Sequence, residues 1–268
     1  MFVTRLISGI VLVIVAAASI ILGGNVMFAV VAAISFIGLY ELYRVFHMEK
    51  NILGILGYLF TAVYYAVLYV GGKGYIEELL LGFLICLLTV YVFDYPKYRT
   101  EDIMEALFGV VYVVFMLSYL YQLRGLENGA YLTGLVFFCA WGCDTCAYVV
   151  GMLFGKHKMA PILSPKKSVE GGIGGIVGSA LLGAAYGAVG ERIGLVESEQ
   201  SVVLAFFICC AAGAVISQIG DLAASAIKRN HDIKDYGTLI PGHGGILDRF
   251  DSIIVTAPII FTLASFLL

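Results

Sequence analysis

The sequence predicts an all-α polytopic integral membrane protein of about nine transmembrane helices with its N-terminus in the cytoplasm. Three observations predict it. Only 13% of the 268 residues are charged and the mean hydropathy is +0.97, whereas about a quarter of a soluble domain is charged. Apolar runs of roughly 17 to 25 residues, the length that crosses a hydrocarbon core, recur along the whole chain. Lys and Arg gather in alternate loops, the asymmetry that marks the cytoplasmic side.

Taken in order, the runs fall at about 6–22, 26–44, 52–70, 76–93, 103–122, 129–153, 172–190, 202–226 and 252–268. The first follows Arg5 and ends in small residues, like a secretory signal, but eight more spans follow and an uncleaved helix is the better reading. Spans one to five carry almost no internal charge and many aromatics, among them Tyr64, Tyr65, Tyr112 and Tyr119. Residues 1–125 therefore read as a transmembrane scaffold. Spans six to nine hold carboxylates and most of the glycines, so 126–268 reads as the catalytic region, with cytoplasmic loops at 154–171 and 227–251.

With alternate loops on alternate sides, Arg5, Arg44, Lys50, Lys97, Arg99, Lys156, Lys158, Lys166, Lys167, Lys228, Arg229, Lys234 and Arg249 share the side of the N-terminus. Only Lys73, Arg124 and Arg192 lie opposite. The expected place is the cell membrane, with the 227–251 loop facing the cytoplasm. A net charge of −3 without long basic runs argues against a nucleic-acid partner. All six cysteines lie in apolar runs. Cys143-x-x-Cys146 has no second Cys or His pair to complete a metal site, so these read as small buried side chains.

Polar chemistry concentrates between Ser225 and Asp251, where Lys228, Arg229, Lys234, Asp235, His243, Asp248, Arg249 and Asp251 fall within one short stretch. Lys and Arg suit phosphate oxygens, carboxylates suit Mg²⁺, and the Pro241-Gly242-His243-Gly244-Gly245 turn can bring backbone N–H groups close to an anion. These are parts of a phosphoryl-transfer site at a membrane surface. Inside the spans, Asp144 and Asp221 are the carboxylates that stand out, and an intramembrane ionisable group is a functional hypothesis by default. Ser217, Asp221, Ser225 and Lys228 form one stripe on the eighth helix. Asp221 lies about 10 Å below Lys228 and Asp144 about 16 Å before the helix exit near Gly155, at 1.5 Å per residue. With Asp248 and Asp251 opening the ninth helix, four carboxylates converge in the cytoplasmic half of the bilayer and call for a cation. Buried ion pairing of Asp221 or Asp248 with Lys228 or Arg249 is the structural alternative, and Asp144 stands in no motif. Ahead of the seventh span, Ser164-Pro165-Lys166-Lys167-Ser168-Val169-Glu170-Gly171 places lysines before a helix N-terminus, which favours anions. Gly178 and Gly183 read as close helix packing.

The run Ser225-x-Ile227-Lys228-Arg229, then Lys234-Asp235-x-Gly237, then Ile240-Pro241-x-His243-Gly244-Gly245-Ile246-x-Asp248-Arg249-Phe250-Asp251 resembles the signature of the phosphatidate cytidylyltransferase (CDP-diacylglycerol synthase) family. The 164–171 segment is similar to that family's second typical stretch, with Ser168 where Thr is common. The resemblance implies transfer from CTP to phosphatidic acid, giving CDP-diacylglycerol and pyrophosphate, with Mg²⁺; a second cation stays open. It implies Asp221 and Asp248 as main metal ligands, and we place Asp251 and Asp144 in or near the same shell. Lys228, Arg229, Lys234 and Arg249 would hold phosphates, with Lys167, Ser168, Ser225, Gly244 and Gly245 in substrate binding and His243 shaping the turn. The lipid bilayer is a further expected partner, and a homodimer stays open. Two rivals remain. A CTP-dependent polyprenol or phytol kinase would share the nucleotide but needs a base for a neutral hydroxyl, and a cation-coupled transporter would not need the basic turn at 228–249.

Overall fold

The computed structural model describes residues 2–194 and 201–267, most of them helical. Residue 268, read as the end of the ninth span, and the side chains of Arg5 and Lys73 lie outside the described residues. Among the described residues nine long helices follow one another: α1 (Phe2–Leu22), α2 (Gly24–Val45), α3 (Ile52–Tyr69), α4 (Ile76–Phe93), α5 (Thr100–Arg124), α6 (Gly129–Phe154), α7 (Val169–Arg192), α8 (Val202–Asn230) and α9 (Leu247–Leu267). Among the described residues, α2 to α9 are each long and apolar enough to cross a membrane, and α1 contributes a shorter apolar stretch, Leu6–Leu22. The protein is an all-α, multi-pass membrane protein.

Several helices run beyond the apolar windows. Thus α7 starts at Val169, capped by the Ser168 side chain, which accepts from the Gly171 N–H at 3.1 Å. Helix α8 runs on to Asn230, so Lys228 and Arg229 sit in its last turn, where cations suit the helix dipole. Two features have no counterpart in the sequence reading. Segments Val110–Phe115 in α5 and Phe138–Gly142 in α6 are wound as π-helix, a local widening often found at functional sites. The loop before α7 is a small antiparallel hairpin, β1 (Lys158–Ala160) with β2 (Ser164–Ser168), pairing Lys158 with Ser168.

Three buried tyrosines of α2 and α3 satisfy their hydroxyls internally, as a membrane interior favours. Tyr43 donates to the Ala106 carbonyl, Tyr65 shares a bond with Ser35 and Tyr64 with Ser118, each at 2.7 Å. The C-terminal half packs through small residues instead. Helix α7 lies between α6 and α8 on a face of glycines, and a Cβ on Gly178 would stand 2.5 Å from the Cys146 sulfur, one on Gly183 2.5 Å from that of Cys210. Both glycines and the cysteines therefore serve close packing, and all six thiols are free. Helix α9 joins the halves, packing on α8 and on the second part of α5.

Contacts between loops agree with nine alternating spans. Ser8 Oγ donates to the Pro241 carbonyl at 3.0 Å and Phe46 packs on His231, placing the start of α1, the α2–α3 loop and the α8–α9 loop on one side. Arg124 donates to the Ile20 carbonyl at 2.7 Å on the other.

Candidate active site

The stretch between α8 and α9 is held by carboxylates. Gly242 and Gly244 take left-handed φ values of 78° and 86°, the region glycine enters without penalty. Their turn closes on a bridge between Ile240 and Gly244. It delivers the chain to the start of α9, whose first amides have no partner within the helix. Asp248 Oδ2 accepts from the Gly245 N–H at 2.9 Å and the Tyr236 N–H at 2.8 Å, while Oδ1 accepts from Lys228 Nζ at 3.0 Å. The Asp248 side chain is 1% exposed. Glu41 of α2 accepts from the Ile246 and Leu247 N–H groups at 3.0 and 2.9 Å.

This corrects one expectation. The Gly245 amide, expected to face a phosphate, is taken by Asp248, and the two amides after it are taken by Glu41. A helix start buried in low dielectric needs anionic partners of its own, and the protein supplies them. The Asp248–Lys228 pair is the ion-pairing alternative the sequence left open, realised in the structure. Tyr236 fills the space beneath, its hydroxyl donating to the Ala224 carbonyl at 3.0 Å and Lys228 resting 5.3 Å over its ring. Burial pushes the Tyr236 phenol well up, with neighbouring Tyr112, Asp251 and Asp248 adding to the effect. It stays neutral.

Asp221 faces a different neighbour. Its carboxylate meets Lys167 of β2, not Lys228 or Arg249. Both side chains remain about a quarter exposed, 24% and 27%, because they line a cavity of about 410 Å³ between the hairpin, α6, α7 and α8. Lys166, Ser168, Gly171 and Gln218 border it too, and Gln218 is fixed by a 3.0 Å bond to the Gly172 carbonyl. The hairpin is moored by Glu170, which accepts from the Lys156 and His157 amides and pairs with the His157 ring at 2.6 Å.

A second cavity, about 220 Å³, opens under α1 and is lined by Trp141, Asp144, His243, Asp248, Arg249 and Asp251. Asp144 borders both cavities. The charges of Asp144, Asp221 and Asp251 act on one another, so three of the four predicted carboxylates form one electrostatic group with Asp248 at its edge. Val13 and Trp141 continue from the second cavity into an apolar one of about 440 Å³ between α1, α6 and α7. Arg229 and Lys234 are exposed and, with Ser225, border neither polar cavity. Ser225 and Arg229 sit on the last turns of α8 and Lys234 on the loop after it, outside these walls.

Sequence reasoning missed Glu41, Trp141 and Gln218. Glu41 carried a signal, an ionisable residue inside a span; Trp141 and Gln218 carried none that separates them from ordinary span residues.

The chain matches the model of the cytidylyltransferase family over residues 3–267. It is 30% identical over 267 residues to a Bacillus subtilis protein named phosphatidate cytidylyltransferase, covering 97% of this chain and 96% of that one. A Synechocystis protein of the same name is 31% identical, covering 96% and 94%. One from Staphylococcus saprophyticus is 34% identical over 175 residues, covering 65% and 64%.

Proposed function

This chain belongs to the cytidylyltransferase family and is a nucleotidyltransferase, and from that premise we propose that it converts CTP and phosphatidic acid to CDP-diacylglycerol and pyrophosphate. The observation that carries the proposal is Asp144 standing between two polar cavities, one lined by Lys166, Lys167 and Asp221, the other by Arg249, Asp248 and Asp251 and continuous with an apolar space. Two phosphate-bearing substrates, one of them a lipid, fit that arrangement.

The triphosphate takes the hairpin cavity, where Lys166 and Lys167 neutralise its oxygens. Phosphatidic acid takes the cavity under α1, its phosphate on Arg249 and its chains along Val13 and Trp141. The lipid phosphate oxygen attacks the α-phosphorus of CTP, and the bond from that phosphorus to the bridging oxygen breaks, releasing pyrophosphate with the electron pair. A phosphate monoester with a second pKa of about 6 is mostly dianionic near neutrality, so the attack requires no general base. His243 then shapes the turn. Positioning and charge neutralisation supply the catalysis.

The residues also fit Mg²⁺. Asp144, Asp221, Asp248 and Asp251 offer hard oxygen donors, and although no ready-made cluster of three ligands occurs among the described residues, this ion is commonly held by one or two carboxylates plus substrate phosphates. Asp221 and Asp248 would hold it, with Asp144 and Asp251 beside them or on a second cation. When bound, the ion would neutralise charge on the phosphate oxygens. Lys167 would then be free to turn from Asp221 to a phosphate oxygen, while Lys228 and two amides hold Asp248 in place. Protein in detergent should release pyrophosphate only when CTP, phosphatidic acid and Mg²⁺ are all supplied. Comparable turnover with ATP or GTP would overturn the assignment of CTP, which family membership supports and the cavities do not.

The site faces the cytoplasm in this reading, on the strength of the basic asymmetry. A reporter inserted in the 156–167 loop should report the cytoplasm and one fused after Leu268 the opposite side. Both reporting one side would contradict the nine-span arrangement.

A further inference from the structure

We infer that Glu41 is a positioning residue for the transfer reaction: from helix α2 it fixes the backbone that aims Asp248 and the start of α9 at the cavity under α1. The inference rests on the functional reading above. Glu41 is 3% exposed, and burying a carboxylate is costly unless its hydrogen bonds are met. Its two oxygens accept from Ile246 and Leu247, separated from it by more than 200 residues. A Ser, Thr or Asp at the helix start would cap those amides from close by. A cap delivered from another helix also fixes the loop relative to the bundle.

The surrounding residues are cut to this contact. A Cβ at Gly237 or Gly245 would collide with the Glu41 carboxylate. One turn along the same face of α2, Arg44 donates to the Tyr236 carbonyl at 2.5 Å, and the Tyr236 N–H in turn donates to Asp248. Three consecutive amides, Gly245 to Leu247, thus divide between two carboxylates. Those like charges sit side by side with Lys228 and Arg44 as counterions. Moving Glu41 moves the backbone around Gly245 that anchors Asp248, leaving Lys228 and the Arg44-held Tyr236 to steady it.

The test compares the wild type with Glu41→Gln and Glu41→Asp in detergent, reading hydrogen exchange of peptides spanning 236–248, steady-state constants with CTP and phosphatidic acid, and melting. In Glu41→Gln the amides of Tyr236 and Gly245 to Leu247 should exchange at least about tenfold faster while α7 is unchanged. Its kcat should fall about 100-fold, the cost of a small misplacement, with KM for CTP within about threefold. Glu41→Asp should keep the charge and recover at least about tenfold of that kcat. A loosened loop with near-normal kcat would reduce Glu41 to packing, and unchanged exchange would show that it does not hold the loop; either overturns the inference. Should Glu41→Gln fail to fold, Glu41→Asp decides: it must be intermediate in both exchange and kcat, and wild-type values in both refute the role. A wild type inactive with CTP and phosphatidic acid would instead sink the functional reading, leaving the exchange result to judge the anchor.

Discussion

Asp221→Asn should lower Mg²⁺-dependent turnover by several orders of magnitude and leave melting nearly unchanged. The side chain lines the hairpin cavity, is about a quarter exposed and meets Lys167, which is equally exposed. Partly solvated ion pairs contribute about 1 kcal/mol or less, so the loss of one costs little stability. Asn keeps the shape but lacks the charge that phosphoryl transfer requires beside a cation. Measuring turnover against Mg²⁺ together with detergent melting checks this, and a variant that melts early while keeping turnover in the cold would show an ion-pair role instead.

Asp248→Asn should lose both activity and stability. Its carboxylate is 1% exposed and takes three donors, Lys228 and two amides. An Asn oxygen can still receive the two amides, but its NH₂ group then faces the Lys228 ammonium, donor against donor. Breaking a buried pair from one side costs about 3–5 kcal/mol, and the loop carrying His243 loosens with it. Equal melting of the two variants would contradict the distinction drawn here between an exposed and a buried carboxylate.

That distinction was not legible in the sequence, although much else was. Nine spans could be counted because crossing a bilayer demands some twenty apolar residues, and the fold has no cheaper way to meet that demand. Their ends could not, since hydropathy marks hydrocarbon and not helix: α7 begins at Val169 with a Ser cap and α8 carries Lys228 and Arg229 in its last turn. The π-wound segments were invisible because Val-Val-Tyr-Val-Val-Phe is equally apolar in either hydrogen-bond register. The hairpin at 158–168 was too short and polar to show alternation.

At the site, the Asp144, Asp221 and Asp251 grouping followed from helical rise and from polar residues in an apolar chain. Partners did not. Asp221 pairs with Lys167 across the bundle, not with Lys228 on its own helix, because β2 and α8 are brought together only by the packing of α7. Glu41 was passed over as part of an apolar scaffold, although a lone carboxylate in a span is a signal by itself. Gly245 was read as part of a phosphate turn, and it and Gly237 make room for Glu41.

The most direct measurement follows the phosphorus atoms of CTP in the presence of phosphatidic acid and Mg²⁺. CTP labelled at the α-phosphorus should transfer its label to the lipid phase, and CTP labelled at the γ-phosphorus should leave its label in aqueous pyrophosphate. Label from the γ-position in the lipid would mean a kinase, and no transfer from either position would contradict the account of two substrates meeting at Asp144.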